Sequence, residues 1–165
     1  MLRKVALLLG LFFLVSFSAK AQDKVELFGG YSYMRADNSP SFNTNGWEFS
    51  GQYKFYNWFG AVADFDGHYG SPFGPTTSVN TFLFGPQVSW PARVSPFAHV
   101  LLGGAHTSTG GFSDTSFSAA IGGGIDTRIV HGIYWRIFQA DYLMTHFSGS
   151  RQDNARLSTG IVIRF

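Results

Sequence analysis

The sequence predicts an all-β fold, an eight-stranded antiparallel transmembrane β-barrel that runs up and down as a meander. Three observations predict it: apolar and polar residues alternate, long connections alternate with short ones, and the composition is too poor in charge for a surface in water. Charged residues make up 13% of the chain and aromatic residues 18%, whereas soluble domains carry about 25% charged residues. The last nine residues, LSTGIVIRF, show the alternation most clearly and end on Phe165.

The start of the chain predicts an export signal. Arg3 and Lys4 precede an apolar stretch from Val5 to Phe17, and Ala19-Lys20-Ala21 has the small-x-small pattern of a cleavage site. This stretch is too short for a membrane-spanning helix, which needs about 20 apolar residues. We therefore expect residues 1–21 to be a signal peptide.

Cleavage of this signal would leave residues 22–165 as one outer-membrane β-barrel domain. Loss of residues 1–21 removes three basic residues and no acid, so the formal net charge falls from +2 to −1. The remaining basic residues are scattered along the chain. A nucleic-acid partner needs clustered Lys and Arg, and we therefore expect none.

Eight segments have strand character, because each alternates over a period of two and is bounded by Gly, Pro, Asn or Ser. In order they are Lys24 to Arg35, Gly46 to Phe55, Phe59 to Tyr69, Ser78 to Trp90, Val94 to His106, Ser116 to Arg128, Ile133 to Thr145 and Arg156 to Phe165.

The connections between these segments alternate in length. Four are long and rich in Gly, Ser, Asn and Asp: residues 36–45, 70–77, 107–115 and 146–155. Three are tight turns: residues 56–58, 91–93 and 129–132. Long outside loops and short periplasmic turns are typical of an outer-membrane barrel, so the pattern predicts four extracellular loops.

Alternation assigns one face of each strand to lipid and the other to the lumen. The polar lumen network is predicted to contain Glu48, Gln52, Lys54, Asp64, Asp66, His68, Asp126, Arg128, Gln139, Asp141, Arg156 and Arg164. In the fourth and fifth strands the predicted lipid-facing residues are Phe82, Phe84, Val88, Ala98, Val100 and Leu102, with Gln87 and His99 inside. Because Pro86 cannot donate to a β-ladder, we expect a bulge at Gly85-Pro86.

Aromatic residues near the strand ends predict two girdles at the water–lipid boundaries. The periplasmic girdle would contain Tyr53, Tyr56, Trp58, Phe59, Trp90, Tyr134, Trp135 and Phe165. The outer girdle would contain Tyr31, Tyr33, Trp47 and Tyr69.

The export signal, eight amphipathic strands, sorted loops and the ending GIVIRF resemble the small OmpA-like outer-membrane β-barrels of Gram-negative bacteria. The resemblance implies a location in the cell outer membrane and contact with its lipid. It also implies that Phe165 is an assembly signal, through which the C-terminal strand would contact the outer-membrane assembly machinery.

The charges of the lumen suggest two clusters. Glu48, Asp64, Asp66 and Asp141 would share the outer half of the barrel with Arg156 as their only evident cation. We expect His68, His99, hydroxyls, waters and shared protons to satisfy these carboxylates; a calcium-like cation near Glu48, Asp64 and Asp66 is the alternative. The second cluster, nearer the short turns, would contain Lys54, Asp126, Arg128 and Arg164.

No pattern in the sequence predicts a metal or a cofactor. The spacing His146-Phe147-Ser148, which His106-Thr107-Ser108 repeats, is the His-x-Ser spacing of lipid A deacylases, but two short residues at this spacing are weak evidence. The sequence favours a non-enzymatic, structural or surface-interaction protein whose extracellular loops contact an unknown partner. The alternatives are a lipid-modifying enzyme and a soluble secreted barrel that binds a small apolar ligand.

Overall fold

The computed structural model describes residues 24–36, 42–70, 77–109, 111–147 and 150–165. It confirms the closed eight-stranded antiparallel barrel in meander order. The strands are β1 (Val25–Ala36), β2 (Phe42–Tyr56), β3 (Phe59–Gly70), β4 (Thr77–Ser89), β5 (Val94–Thr109), β6 (Phe112–Val130), β7 (Ile133–Phe147) and β8 (Ser150–Arg164). The expected signal, residues 1–21, lies outside the described residues. The described residues contain no helix that is long and apolar enough to cross a membrane.

β8 closes the barrel by pairing with β1, from Glu26↔Arg164 to Ala36↔Asn154. Backbone bonds between Val25 and Phe165 extend the pairing past the last ladder position, with Phe165 N donating to Val25 O over 2.9 Å. Closure leaves no sheet edge exposed, which a strand in hydrocarbon requires. The C-terminal strand is therefore the seam of the barrel.

The outer wall is apolar, as the alternation predicts. Large apolar side chains that are exposed on it include Phe49, Phe55, Phe65, Phe82, Phe84, Val100, Leu102, Phe117, Ile121, Phe138, Leu157 and Ile161. A continuous band of such residues is unfavourable in water but matches the hydrocarbon of a bilayer. The predicted faces of β4 and β5 are confirmed, because Gln87 and His99 are buried in the lumen.

The bulge predicted at Gly85-Pro86 is wrong. The β3–β4 register runs through both residues without a shift. On the other side the β4–β5 register is unchanged from Phe84↔Leu102 to Gln87↔His99, and the ladder skips the two positions between them. The proline, which lacks an N–H, is therefore accommodated by omitted pairing rather than by an inserted residue.

The outer ends of several strands are longer than predicted, and two predicted long loops are wrong. Residues 107–109 and 112–115 are paired strand, up to Thr109↔Phe112. Residues 150–155 belong to β8. Polar Ser, Thr and Asp residues suggest a loop from composition alone, but antiparallel pairing satisfies their backbone groups equally well beyond the membrane.

The aromatic girdles stay a prediction, and the structure corrects one of their members. Tyr56, Trp58 and Trp90 are exposed near the short turns. Tyr134, by contrast, is buried with 6% of its surface exposed. It faces the lumen, where its ring lies 3.8 Å from the guanidinium carbon of Arg164.

Candidate functional site

The interior of the barrel is filled by side chains rather than open. One part is apolar, formed by the buried residues Met34, Val62, Val79, Leu83, Leu101, Ala120 and Leu143. The rest is a polar network that runs along the barrel axis. An eight-stranded barrel is only wide enough for such side chains to fill it, and the structure has this packed interior.

Arg156 is the centre of the outer half of the network and is 1% exposed. Its Nη1 donates to Asp64 Oδ1 over 2.8 Å and also to Asp66 Oδ2. Its Nε and Nη2 donate to Asp141 Oδ2 over 3.0 and 2.7 Å. Glu48 Oε2 lies 3.7 Å from Nε. The predicted grouping of four carboxylates around Arg156 is therefore present.

Neutral groups supply the remaining contacts of these carboxylates, as expected. Gln139 Nε2 donates to Glu48 over 2.8 Å and to Asp141 over 2.7 Å. Ser158 Oγ donates to the other oxygen of Glu48. Such hydrogen bonds offset the loss of water around a buried charge.

Two histidines complete this shell. His68 Nδ1 lies 3.1 Å from Asp66 and its Nε2 lies 3.0 Å from Ser32 Oγ. His99 Nε2 lies 2.8 Å from Asp141 Oδ1. We name Arg156, its four carboxylates, Gln139, Ser158 and the two histidines the Arg156 cluster.

The structure gives the bound-cation hypothesis no support. The guanidinium of Arg156 lies between Asp64 and Asp66, where the hypothesis would place the ion. Among the described residues no group of three or more His, Asp or Glu side chains is arranged to hold a metal. A cation there would have to displace a buried guanidinium from several ion pairs.

The inner half of the network differs from the prediction in its members. Glu26 pairs with Lys54 and, over 2.9 Å, with Arg164 Nε. Asp126 accepts from Arg136 Nε over 2.8 Å and from Arg164 Nη2 over 3.0 Å. Lys54, Asp126 and Arg164 lie together as predicted, whereas Glu26 and Arg136 were missed. We name these five residues the Glu26–Asp126 cluster.

Arg128 is the correction, because it is not part of this buried cluster. Its side chain is exposed, at the end of β6 beside the mouth of the barrel. Arg136 takes the position in the cluster that was predicted for Arg128. The remaining predicted lumen residues, from Glu48 to Arg164, are buried as expected.

A β-bulge in β7 explains why Arg136 was missed. The pairing with β6 passes from Ile125↔Phe138 directly to Asp126↔Arg136, so Ile137 is an extra residue. Ile137 and Phe138 are both exposed on the wall. Beyond the bulge the faces exchange, and a residue that strict alternation assigns to lipid enters the lumen.

Arg136 joins the two clusters and packs between two rings. Its guanidinium carbon lies 4.2 Å from the ring centres of both Phe28 and Phe97, a cation–π arrangement. Its Nη1 donates to Gln139 Oε1 over 2.6 Å. Gln139 also contacts Glu48 and Asp141, so one amide links the inner and outer halves.

Glycine provides the space that the Arg156 cluster needs. A Cβ at Gly122 would collide with Oδ1 of Asp141 and with the backbone of β7. A cavity between the two clusters, beside Gln52 and Arg136, has a volume of about 10 Å³. This is about the space of one water, so this part of the described lumen offers no room for an apolar ligand.

The His-x-Ser spacing receives no support as a catalytic pair. His106 Nδ1 lies 2.8 Å from Thr115 Oγ1 on the neighbouring strand. Ser148 lies outside the described residues. The described pair, His106 and Ser108, lies at the outer end of β5, where His106 makes this hydrogen bond across the hairpin to β6.

A closed meander of eight strands with an apolar wall and a filled polar lumen decides the fold class. The fold is that of the small outer-membrane barrels. Neisserial surface protein A superposes with a TM-score of 0.69 at 14% identity, over 86% of this chain and 97% of that chain. Ail, the attachment invasion locus protein of Yersinia pestis, superposes with a TM-score of 0.60 at 18% identity, over 87% of this chain and 100% of that chain.

A third solved structure agrees. OprG from Pseudomonas aeruginosa has a TM-score of 0.57 at 11% identity, over 86% of this chain and 95% of that chain. No protein-family model matches the chain, and no curated protein matches it significantly. The resemblance to OmpA-like barrels is thus confirmed for the fold.

Proposed function

We propose that the protein is a non-enzymatic outer-membrane barrel that holds surface hairpins in place and acts through contacts made outside the cell. The observation that carries the proposal is the combination of a filled lumen with strands longer than a membrane requires. β5 has 16 residues and β6 has 19, whereas a spanning strand needs about 9 to 11. The surplus lies at the outer end and is polar.

The β5–β6 hairpin is a firm platform for such contacts. Its ladder continues without a register shift to Thr109↔Phe112. Among the described residues, the β6–β7 pairing begins only at Ser118↔Thr145. The tip of the hairpin therefore extends away from β7, and binding usually resides in such exposed segments on a rigid scaffold.

The filled lumen argues against transport. Arg156 alone contacts carboxylates from β2, β3 and β7 across the barrel. A solute would have to separate these buried ion pairs, at a cost of several kcal/mol. In the proposed role the lumen network is structural, the lipid of the outer membrane surrounds the wall, and Phe165 serves assembly at the seam.

Cysteine labelling tests the topology, because the chain contains no cysteine of its own. Ser113→Cys at the hairpin tip and Asn57→Cys at a short turn are both exposed. On intact cells a membrane-impermeant maleimide should label Ser113→Cys and should label Asn57→Cys only after lysis. Labelling in the reverse order, or recovery of the protein in the soluble fraction, would contradict the proposal.

A shortened hairpin tests the interaction role. Replacing residues 107–114 by Asn-Gly gives His106 and Thr115 a favoured two-residue turn. The variant should stay heat-modifiable on gels. Cells that express the wild-type protein should gain adhesion to surfaces or other cells, and cells that express the variant should not. Unchanged adhesion, or single-channel conductance of the wild-type barrel in planar bilayers, would count against the proposed role.

The lipid-modifying alternative has a separate test. Expression of the wild-type protein should leave the mass spectrum of lipid A unchanged. Expression of the variant that combines His106→Ala with Ser108→Ala should leave it unchanged as well. A shift in the wild-type spectrum that this variant abolishes would establish an enzyme instead.

A further inference from the structure

A basic cavity lies at the end of the barrel opposite the surface hairpins. It has a volume of about 330 Å³, and its lining includes Lys54, Arg93, Arg128 and Arg164. Asn57 and Tyr134 also line it. We name this cavity the basic mouth. It is assembled from two short turns, at residues 57–58 and 91–93, and from the ends of β2, β6, β7 and β8.

The charges of the basic mouth are not balanced. The Glu26–Asp126 cluster forms its floor through Lys54 and Arg164, the two members that line the cavity. The two carboxylates of the cluster are already paired with Lys54, Arg136 and Arg164. Arg93 and Arg128 on the rim add two further positive charges. Within the described part of the chain, neither of these two guanidiniums forms an ion pair. The floor and rim together carry a formal surplus of three positive charges.

The two rim arginines are held side by side by the backbone. Arg128 N donates to Arg93 O over 2.9 Å. The turn that carries Arg93 is fixed in the same way, since Ser95 Oγ donates to Trp90 O over 2.7 Å and Trp90 N to Pro96 O over 2.9 Å. The two side chains therefore start from neighbouring backbone positions, from which both guanidiniums can reach the oxygens of one anion.

We propose that the basic mouth binds a phosphate group. Guanidinium forks match the paired oxygens of phosphate, which carries up to two negative charges at neutral pH. Lys54 and Arg164 lie below the rim, 6% exposed each, and would face the bound group. The cavity is at the small end of ligand sites, which span about 300 to 1,000 Å³. The phosphate would come either from a small soluble anion or from the headgroup of a membrane lipid.

The test uses the folded chain in phosphatidylcholine nanodiscs, titrated with inorganic pyrophosphate against sodium chloride of matched ionic strength. We expect saturable binding that Arg93→Gln with Arg128→Gln weakens about tenfold or more, because two charge-assisted contacts are lost. Arg35→Gln is the matched control, since it removes the same charge from an exposed position at the opposite end of the barrel. It should leave the affinity within about twofold.

Three results would overturn the proposal: no saturable binding above the chloride reference, equal weakening by Arg35→Gln, or full affinity in the double variant. If the double variant does not fold, as judged by heat-modifiability, Arg93→Gln alone is titrated and should weaken binding by about threefold or more. Because the measurement needs neither cells nor the surface hairpins, it can fail without affecting the proposed function.

A second arm distinguishes the sources of the phosphate. Nanodiscs that contain phosphatidylglycerol are compared with nanodiscs of equal charge made with oleate, which has no phosphate. Weaker pyrophosphate binding in the phosphatidylglycerol discs alone indicates that a lipid headgroup occupies the mouth. Equal binding in both indicates a soluble phosphate as the ligand. Either result supports the site.

Discussion

The two halves of the lumen solve the same problem, buried charge in a narrow barrel, in opposite ways. In the Arg156 cluster one guanidinium serves Glu48, Asp64, Asp66 and Asp141. In the Glu26–Asp126 cluster three cations share two carboxylates, and Arg164 contacts both. The outer half therefore depends on a single residue, whereas the inner half is redundant.

The two halves also differ in their balance of acidic and basic side chains. The outer half contains four acidic side chains and one arginine, while the inner half contains two acidic and three basic side chains and opens onto two further arginines. The buried outer half can serve stability alone. The inner half keeps positive charge next to water, where a ligand can use it.

The largest effect should come from Arg156→Met. It leaves four buried carboxylates without their common cation, and removing one partner of a buried ion pair costs about 3–5 kcal/mol. Urea unfolding in phospholipid vesicles, followed by tryptophan fluorescence, measures the loss. The stability of Arg156→Lys should lie between those of the wild type and Arg156→Met, because lysine keeps the charge but not the planar fork of the guanidinium.

The exposed Arg35→Gln is the control and should change the free energy of unfolding by less than about 0.5 kcal/mol. If Arg156→Met were as stable as this control, the outer half would not depend on Arg156.

Much of the Arg156 cluster follows from the sequence. Strict alternation in β2, β3 and β8 places Glu48, Asp64, Asp66 and Arg156 inside, and a count of charges then leaves Arg156 as their cation. The wall and the C-terminal strand are predictable for the same reason, since a closed barrel exposes every second residue to lipid.

The inner half was predicted less well, because alternation fails there. The bulge at Ile137 exchanges the faces of β7, which hides Arg136 and turns Tyr134 inward. The available signal is the run Ile137-Phe138, two large apolar residues between Arg136 and Gln139. Glu26 was also missed, although it alternates with apolar Val25 and Leu27. The loop lengths were predicted wrongly because polar composition does not distinguish a water-exposed strand from a loop.

Insertion of one alanine between Arg136 and Ile137 should have the second largest effect and tests whether the register set by the bulge supports the inner half. The inserted alanine would take the position opposite Asp126, and Arg136 would move one position along β7 and turn toward lipid. An arginine on the lipid face costs about 2–4 kcal/mol near the bilayer midplane. The same unfolding assay measures it, with Ile137→Val as the control that keeps the bulge and should change stability by less than about 1.5 kcal/mol.

If the insertion and Ile137→Val were equally stable, the faces of β7 would be set by something other than the register at the bulge. The inner half would then owe its arginine to another part of the barrel, and its redundancy would need a different explanation.

Lys54→Met should have the smallest effect and measures that redundancy directly. Glu26 loses one cation but keeps Arg164 Nε at 2.9 Å, so no buried carboxylate is left alone. The loss should be about 1 kcal/mol, the value of one net polar contact. In the same vesicles Arg156→Met should lose at least about 2 kcal/mol more. Equal losses would mean that the inner half also depends on single pairs, and the contrast between the halves would be one of charge alone.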